Sequence, residues 1–258
     1  MSRRTKKFIY GVFYLAVLAV LGWMVYGANN AEAPSCIDGK RNQGEEQTDC
    51  GGPCIACEIK QLNPVSARGA RFFGLQDGRV VLLGELVNPN EGYIAENVSY
   101  EFGIRDKTGY KVETLSGEET VFPLEKRYVL NAEARTRFNN IGSVELQIST
   151  SSLDASWEKF YGTLKPNVSL VSPPVFSEQG NNISISGEIK NQSSFSARNV
   201  KIIAILSDSF GDPVFAAAWA ADNVSAFGSR EFTIIIPRDG VFSRRMDNER
   251  AKFYVFSE

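Results

Sequence analysis

The sequence contains no histidine. That absence excludes a Ser-His-Asp triad, a Cys-His dyad and any histidine-ligated metal. Cysteine is confined to one stretch: all 4 cysteines lie between Cys36 and Cys57. An excess of positive charge is lacking too. With 28 Lys and Arg against 30 Asp and Glu, the net charge is −2, and no nucleic-acid partner is expected, because such partners require a basic surface against their phosphates. Carboxylates placed for acid–base chemistry are also missing. Glu118 and Glu119 are neighbours in sequence, so in a strand they point to opposite faces. No catalytic residue emerges, and the chain is not expected to be an enzyme.

What is present begins with residues 8–27, FIYGVFYLAVLAVLGWMVYG, which carry no charged side chain. A helix of this length rises ~1.5 Å per residue and spans ~30 Å, the hydrocarbon thickness of a bilayer. Tyr10, Tyr14, Trp23 and Tyr26 lie toward its two ends, where amphipathic rings favour the headgroup region. Residues 1–7 form a basic stub with Arg3, Arg4, Lys6 and Lys7. The positive-inside rule keeps that stub in the cytoplasm and puts the rest of the chain outside. The expected location is therefore the cell membrane, crossed once. A signal peptide cleaved after Ala33 is the competing reading, although Pro34 would hinder cleavage there.

Residues 28–35 read as a spacer. Residues 36–57, CIDGKRNQGEEQTDCGGPCIAC, follow. Outside the cytoplasm, Cys36, Cys50, Cys54 and Cys57 are expected to form two disulfides, with three pairings open. Too few apolar residues lie here to build a core, so crosslinks must supply the order. Two alternatives compete. Cys54 and Cys57 make a C-x-x-C, the spacing of a thiol–disulfide enzyme, but glycine, proline and an acidic residue flank it instead of a strand and a helix. Asp38, Asn42, Glu45 and Asp49 put hard oxygen ligands on a glycine-rich loop, so calcium is the candidate cofactor, although the spacing is not that of an EF-hand.

The pattern C-x-DG-x2-N-x2-E-x3-DCGG-x-C-x2-C, carried by Cys36, Asp38, Gly39, Asn42, Glu45, Asp49, Cys50, Gly51, Gly52, Cys54 and Cys57, resembles a recurrent module of prokaryotic and some eukaryotic surface proteins. The resemblance implies a surface protein and no reaction.

From Val65 the chain repeats itself. Residues 65–88 align without a gap on residues 168–191: Val65 on Val168, Phe73 on Phe176, Gly84-Glu85-Leu86 on Gly187-Glu188-Ile189, and Asn88 on Asn191. One residue is then gained in the first copy, and the match resumes through Asp106-x-x-Gly109 on Asp208-x-x-Gly211. A period near one hundred residues indicates a duplicated domain, since solenoid repeats are shorter. Val98, Tyr100, Phe102 and Ile104 alternate with Ser99, Glu101, Gly103 and Arg105, the period of a half-buried strand. In the second copy Val200, Ile202, Ala204 and Leu206 take the inward role. Asp-x-x-Gly at the strand end suits a type I turn. Asn88 and Asn191 read as turn residues bonding their own backbone. Trp157 and Trp219 read as structural, and Arg135, Arg137, Arg244 and Arg245 as solvated surface.

The run G-x-[LIV]-x-N, a variable loop, A-x-N-V and then D-x-x-G resembles the FxLYD-type domains, immunoglobulin-like sandwiches of prokaryotic envelope proteins. Gly84, Asn88, Ala95, Val98, Asp106, Gly109 and Val112 carry the likeness in copy one. Gly187, Asn191, Ala197, Val200, Asp208, Gly211 and Val214 carry it in copy two. That resemblance implies a binding or spacer module. The expected architecture is mainly β: one transmembrane helix at 8–27, a disulfide-rich module at 36–57, and two tandem immunoglobulin-like antiparallel sandwiches at 65–161 and 168–258, joined by a short linker containing Pro166. The expected role is interaction with protein partners in the envelope, or spacing, without catalysis.

Overall fold

Helix α1 (Arg3–Asn29) carries its apolar side chains outward on all sides. A helix that is apolar all round has no polar face to give to water. Within it, Thr5–Met24 has a mean hydropathy of 1.7 and no buried residue, and is long and apolar enough to cross a membrane. The structure is a computed structural model describing residues 3–29, 35–75, 77–149, 156–162, 165–237 and 246–258. The Ala31–Pro34 cleavage context, Arg244 and Arg245 lie outside the described residues.

The chain forms two compact units, Met1–Gln61 and Leu62–Glu258. In the first, the cysteine module ends in a single turn, α2 (Cys57–Lys60). Among the described residues, the second is built from strands, apart from a 3-10 turn at Phe138–Asn140.

Among the described residues, the first sandwich holds β1 (Ser66–Gly74), β2 (Val80–Val87), β3 (Tyr93–Asp106), β4 (Lys111–Val121), β5 (Lys126–Asn131), β6 (Ile141–Ile148) and β7 (Ser156–Lys159). One sheet runs β1-β2-β5; the other runs β4-β3-β6, with β7 also on β3. The second sandwich holds β8 (Val168–Leu170), β9 (Val175–Gln179), β10 (Asn182–Asn191), β11 (Ala197–Asp208), β12 (Pro213–Val224), β13 (Ser229–Pro237) and β14 (Met246–Phe256). Its sheets run β13-β10-β8, with β9 also on β10, and β12-β11-β14. Every pairing is antiparallel. The fold is mainly β, with immunoglobulin-like sandwiches, as the alternating pattern predicts.

The two copies share local devices. Gly109 donates to the Asp106 carbonyl at 3.0 Å and Gly211 to the Asp208 carbonyl at 2.9 Å, closing the β3–β4 and β11–β12 hairpins. A Cβ at Gly84 would strike Leu146 and Phe102 of the facing sheet, and one at Gly187 would strike Phe232, its partner on β13 of the same sheet, so both positions need glycine. Asn97 and Asn199 both adopt left-handed backbone, φ 52° and 47°, a conformation asparagine tolerates well.

The cores do not stop at the linker. Phe73, Leu75, Val81 and Leu83 belong to the same buried cluster as Ile203, Ile205, Phe215 and Ala216. The Tyr128 and Tyr254 rings meet at a 50° tilt with centroids 4.5 Å apart, and Phe73 meets Phe215 at 6.1 Å. In β2, Gly84 marks the face turned to β3 and β6, while Val81 and Leu83 occupy the opposite face and pack on the second sandwich. The β1-β2-β5 sheet is therefore covered on both sides. The two sandwiches lie within one compact unit, Leu62–Glu258. The physical reason lies in the two unbroken apolar runs Val80-Val81-Leu82-Leu83 and Ile202-Ile203-Ala204-Ile205-Leu206, all buried. Strands buried on both faces lose alternation.

Candidate functional site

The cysteine module is the first candidate. Its sequence turns back on itself at Gly51 and Gly52, φ 78° and 59°, where side chains are disfavoured and a Cβ would strike Glu46 or the Gly44 carbonyl. That turn returns the chain to its start and pairs Cys36 with Cys54 and Cys50 with Cys57. Cys54 and Cys57 are thus each bonded elsewhere, and the C-x-x-C is not itself a disulfide.

The four oxygen-bearing residues considered for calcium hold the loop together. Glu45 is 4 % exposed, and its Oε2 accepts the amides of Asn42 and Asp49, both at 3.2 Å. Asp38 accepts the Lys40 amide at 2.8 Å and the Asn42 Nδ2 at 2.8 Å. The Asn42 side chain and then the Lys40 amide hold the Asp38 carboxyl below the usual range. Asp49 accepts the Gly39 amide at 2.9 Å. Among the described residues, the one set of three cysteine or acidic ligand atoms within 4.8 Å is Cys36, Glu45 and Cys54. Both of those sulfurs are spent in the Cys36–Cys54 disulfide, whereas a metal takes the free thiolate.

A second candidate is an open groove on the first sandwich, about 820 Å³, between β4 and the segment after β5, lined by Val112, Glu113, Thr114, Leu115, Glu133, Arg135 and Thr136. A neighbouring hollow of about 580 Å³ shares Val112, Arg135 and Thr136. Glu113 accepts the Arg135 amide at 3.0 Å, and the Thr136 amide and hydroxyl at 2.8 and 2.6 Å. Burial opposes its charge, but the Thr136 hydroxyl and these amides outweigh that and lower its pKa. Glu113 is an anchor for the loop and a poor proton acceptor.

The third candidate was not anticipated. Arg127, 1 % exposed, donates from Nε to Glu119 at 2.7 Å. Its two other nitrogens lie 3.7 Å from Glu125 and 3.5 Å from Glu258, and its guanidinium sits 5.1 Å over the Phe256 ring. Lys201 pairs with Glu119, and Lys165 with Glu125 at 2.8 Å. Residues of both sandwiches and the linker thus bring three carboxylates against three cations. Burial first and the Glu119 charge second push the Tyr100 hydroxyl up to about 12. The charges of the cluster balance at the seam, and the Arg127 Nη1 and Nη2 atoms are buried without a hydrogen bond. Glu118 points the other way and is exposed, accepting the Ser99 hydroxyl at 3.4 Å, so the adjacent pair divides as expected.

Asn88 and Asn191 are fully buried. Each side-chain oxygen accepts the amide two residues on, from Asn90 at 3.0 Å and Ser193 at 2.9 Å. Trp157 is buried on β7, and Trp219 meets Phe232 at 5.9 Å and Arg230 at 5.8 Å.

No family model matches the chain, and no curated protein matches it. Among solved structures, an exo-chitosanase of Amycolatopsis orientalis is similar over 73 % of this chain and 25 % of its own, at 10 % identity and a TM-score of 0.27. A red sea bream transglutaminase is similar over 76 % of this chain and 31 % of its own, at 11 % identity and a TM-score of 0.23. The chain spans about a quarter to a third of these proteins, and likeness at that level carries no functional argument.

Proposed function

We propose that the chain is a single-pass membrane protein of the cell envelope, with its basic stub in the cytoplasm and the bulk of the chain outside, and that it works by protein interaction or spacing without catalysis. One observation carries the reading: an uncovered apolar helix leads, within a few residues, into a module crosslinked by two disulfides. Disulfides persist where the environment oxidises, so the helix and the module point to the same side of the same boundary. The FxLYD-like pattern of both sandwiches fits this role, as does the surface-protein pattern of the module. Thiol–disulfide exchange is the weaker reading, because each cysteine of the C-x-x-C is bonded to a more distant one.

Fractionated cells test it. The full-length chain is expected to stay with membranes through an alkaline carbonate wash. Protease added outside is expected to digest it. Maleimide mass tags are expected to find no thiol until reductant is added. A chain released in soluble form, or shortened at Ala33, would overturn the anchor. Tagging of Cys54 and Cys57 without reductant would move the reading to thiol exchange.

A further inference from the structure

The cysteine module holds one buried contact that its hydrogen bonds do not explain. Glu45 Oε2 accepts two amides, but Oε1 lies 3.3 Å from the Cys54 sulfur. That sulfur is bonded to Cys36 and carries no proton to donate. Glu45 is buried, and Arg41 beside it bonds its backbone carbonyl at 3.2 Å, not its carboxylate. Among the described residues no ion pair reaches that carboxylate. A buried charged acceptor facing a group that cannot donate is costly, so it calls for a role.

We infer that Glu45 guards the Cys36–Cys54 disulfide against thiol attack. Exchange runs through thiolates: one attacks a sulfur, and the other sulfur leaves with the electron pair. A thiolate that attacks Cys36 expels Cys54 as a thiolate. One that attacks Cys54 forms its new bond there and expels Cys36. Either route builds negative charge on or beside the Cys54 sulfur, 3.3 Å from a carboxylate shielded from water. Like charges that close repel strongly where water is excluded. The nearest attacker is internal. Once Cys50–Cys57 is opened, the Cys57 thiolate belongs to the same C-x-x-C as Cys54. Its attack would form a Cys54–Cys57 bond, break Cys36–Cys54 and leave Cys36 as the thiolate. Glu45 opposes that rearrangement and so keeps the 18-residue separation closed. Cys50–Cys57 lies outside this contact and is the bond that thiols open first. The inference stands on the geometry of the module and does not depend on which side of a membrane it occupies.

The test uses the full chain in detergent, with dithiothreitol as the attacking dithiol. Reduction gives Cys36 and Cys54 a proton each and converts the reagent to its cyclic disulfide. Samples quenched in acid, alkylated and digested report each bond by peptide mass. Glu45→Gln keeps an oxygen for the Asn42 and Asp49 amides and removes the charge. Its Cys36–Cys54 bond is expected to open about tenfold faster than in the parent, with the initial rate at Cys50–Cys57 unchanged. A Cys54–Cys57 peptide pair is expected to accumulate in this variant alone. Glu46→Gln, which removes an exposed carboxylate one residue on, is expected to change neither rate. Equal rates in Glu45→Gln and the parent overturn the guard. Acceleration of both bonds alike overturns it too, because that reports a loosened loop. The wild type supplies a check that needs no substitution. The ratio of opening rates with cationic cysteamine and with anionic mercaptoethanesulfonate is expected to be several-fold larger at Cys36–Cys54 than at Cys50–Cys57. Equal ratios at the two bonds overturn the guard as well.

Discussion

At the scale of single residues, Asn88 and Asn191 use both ends of one amide. The oxygen closes the local turn. The nitrogen reaches the Tyr93 and Val121 carbonyls from Asn88, and the Phe195, Val224 and Ser225 carbonyls from Asn191. Each asparagine therefore ties the end of one sheet to the start of the other. Asn191→Leu keeps the volume but leaves buried carbonyls and the Ser193 amide without their partner. Each such loss costs about 1–3 kcal/mol, so a destabilisation of at least about 2 kcal/mol is expected in urea unfolding. A loss below about 0.5 kcal/mol would mean that the staple is dispensable. Half of this was legible in sequence. Aligning residues 65–88 on 168–191 paired the two positions, and turn chemistry predicted the bond to the amide two residues on. The nitrogen's longest reach is 33 or 34 residues along the chain, where no local rule operates. Arg127 was illegible for the same reason: its carboxylate partners come from β4, from the β4–β5 turn and from the chain end at Glu258.

Among elements, the cysteine module shows what its acidic residues meet. Asp38, Glu45 and Asp49 are oxygen donors by composition, and composition suggested calcium. What the carboxylates meet is the loop's own backbone amides, which have no sequence signature. Cysteine clustering did predict the crosslinks, but the choice among three pairings waited on the Gly51-Gly52 turn. In a loop so poor in apolar groups, closing an 18-residue separation removes about 3 kcal/mol of chain entropy from the unfolded state. Reduction of the full chain in detergent is therefore expected to abolish hydrogen-exchange protection of the Gly51 and Cys54 amides, which donate to Ile55 and Gly51 carbonyls, while the amides of β2 and β11 stay protected. Calcium at about 1 mM, enough to fill weak extracellular sites, is expected to leave the protection of the oxidised module unchanged. A calcium-dependent rise in protection at Gly39, Asn42 or Asp49 would show that the carboxylates reach an ion as well as their amides.

For the whole molecule, the decisive sequence signal is an asymmetry between the copies. On the outward phase of β3 lie Ser99, Glu101, Gly103 and Arg105, whereas the same phase of β11 places Ile203 and Ile205. A strand with apolar residues in both phases is covered on both faces. The inward set is buried in both sandwiches, and the apolar outward set of the second needs a cover of its own. The answer is the sheet holding Val81 and Leu83. A shared core resists bending between the two sandwiches. Small bodies with one core unfold in one step. Two tryptophans sit one to a sandwich, Trp157 on β7 and Trp219 on β12, so each reports its own half. With Trp23 replaced by Phe, single-tryptophan chains are expected to melt at the same temperature whichever reporter is kept. Leu83→Ala, in the first sandwich, is expected to destabilise both reporters together by about 2–5 kcal/mol. Two midpoints, or a Leu83→Ala effect confined to Trp157, would restore two bodies on a hinge. Coincident loss would mean that whatever docks on the second sandwich is held at a fixed geometry to the first.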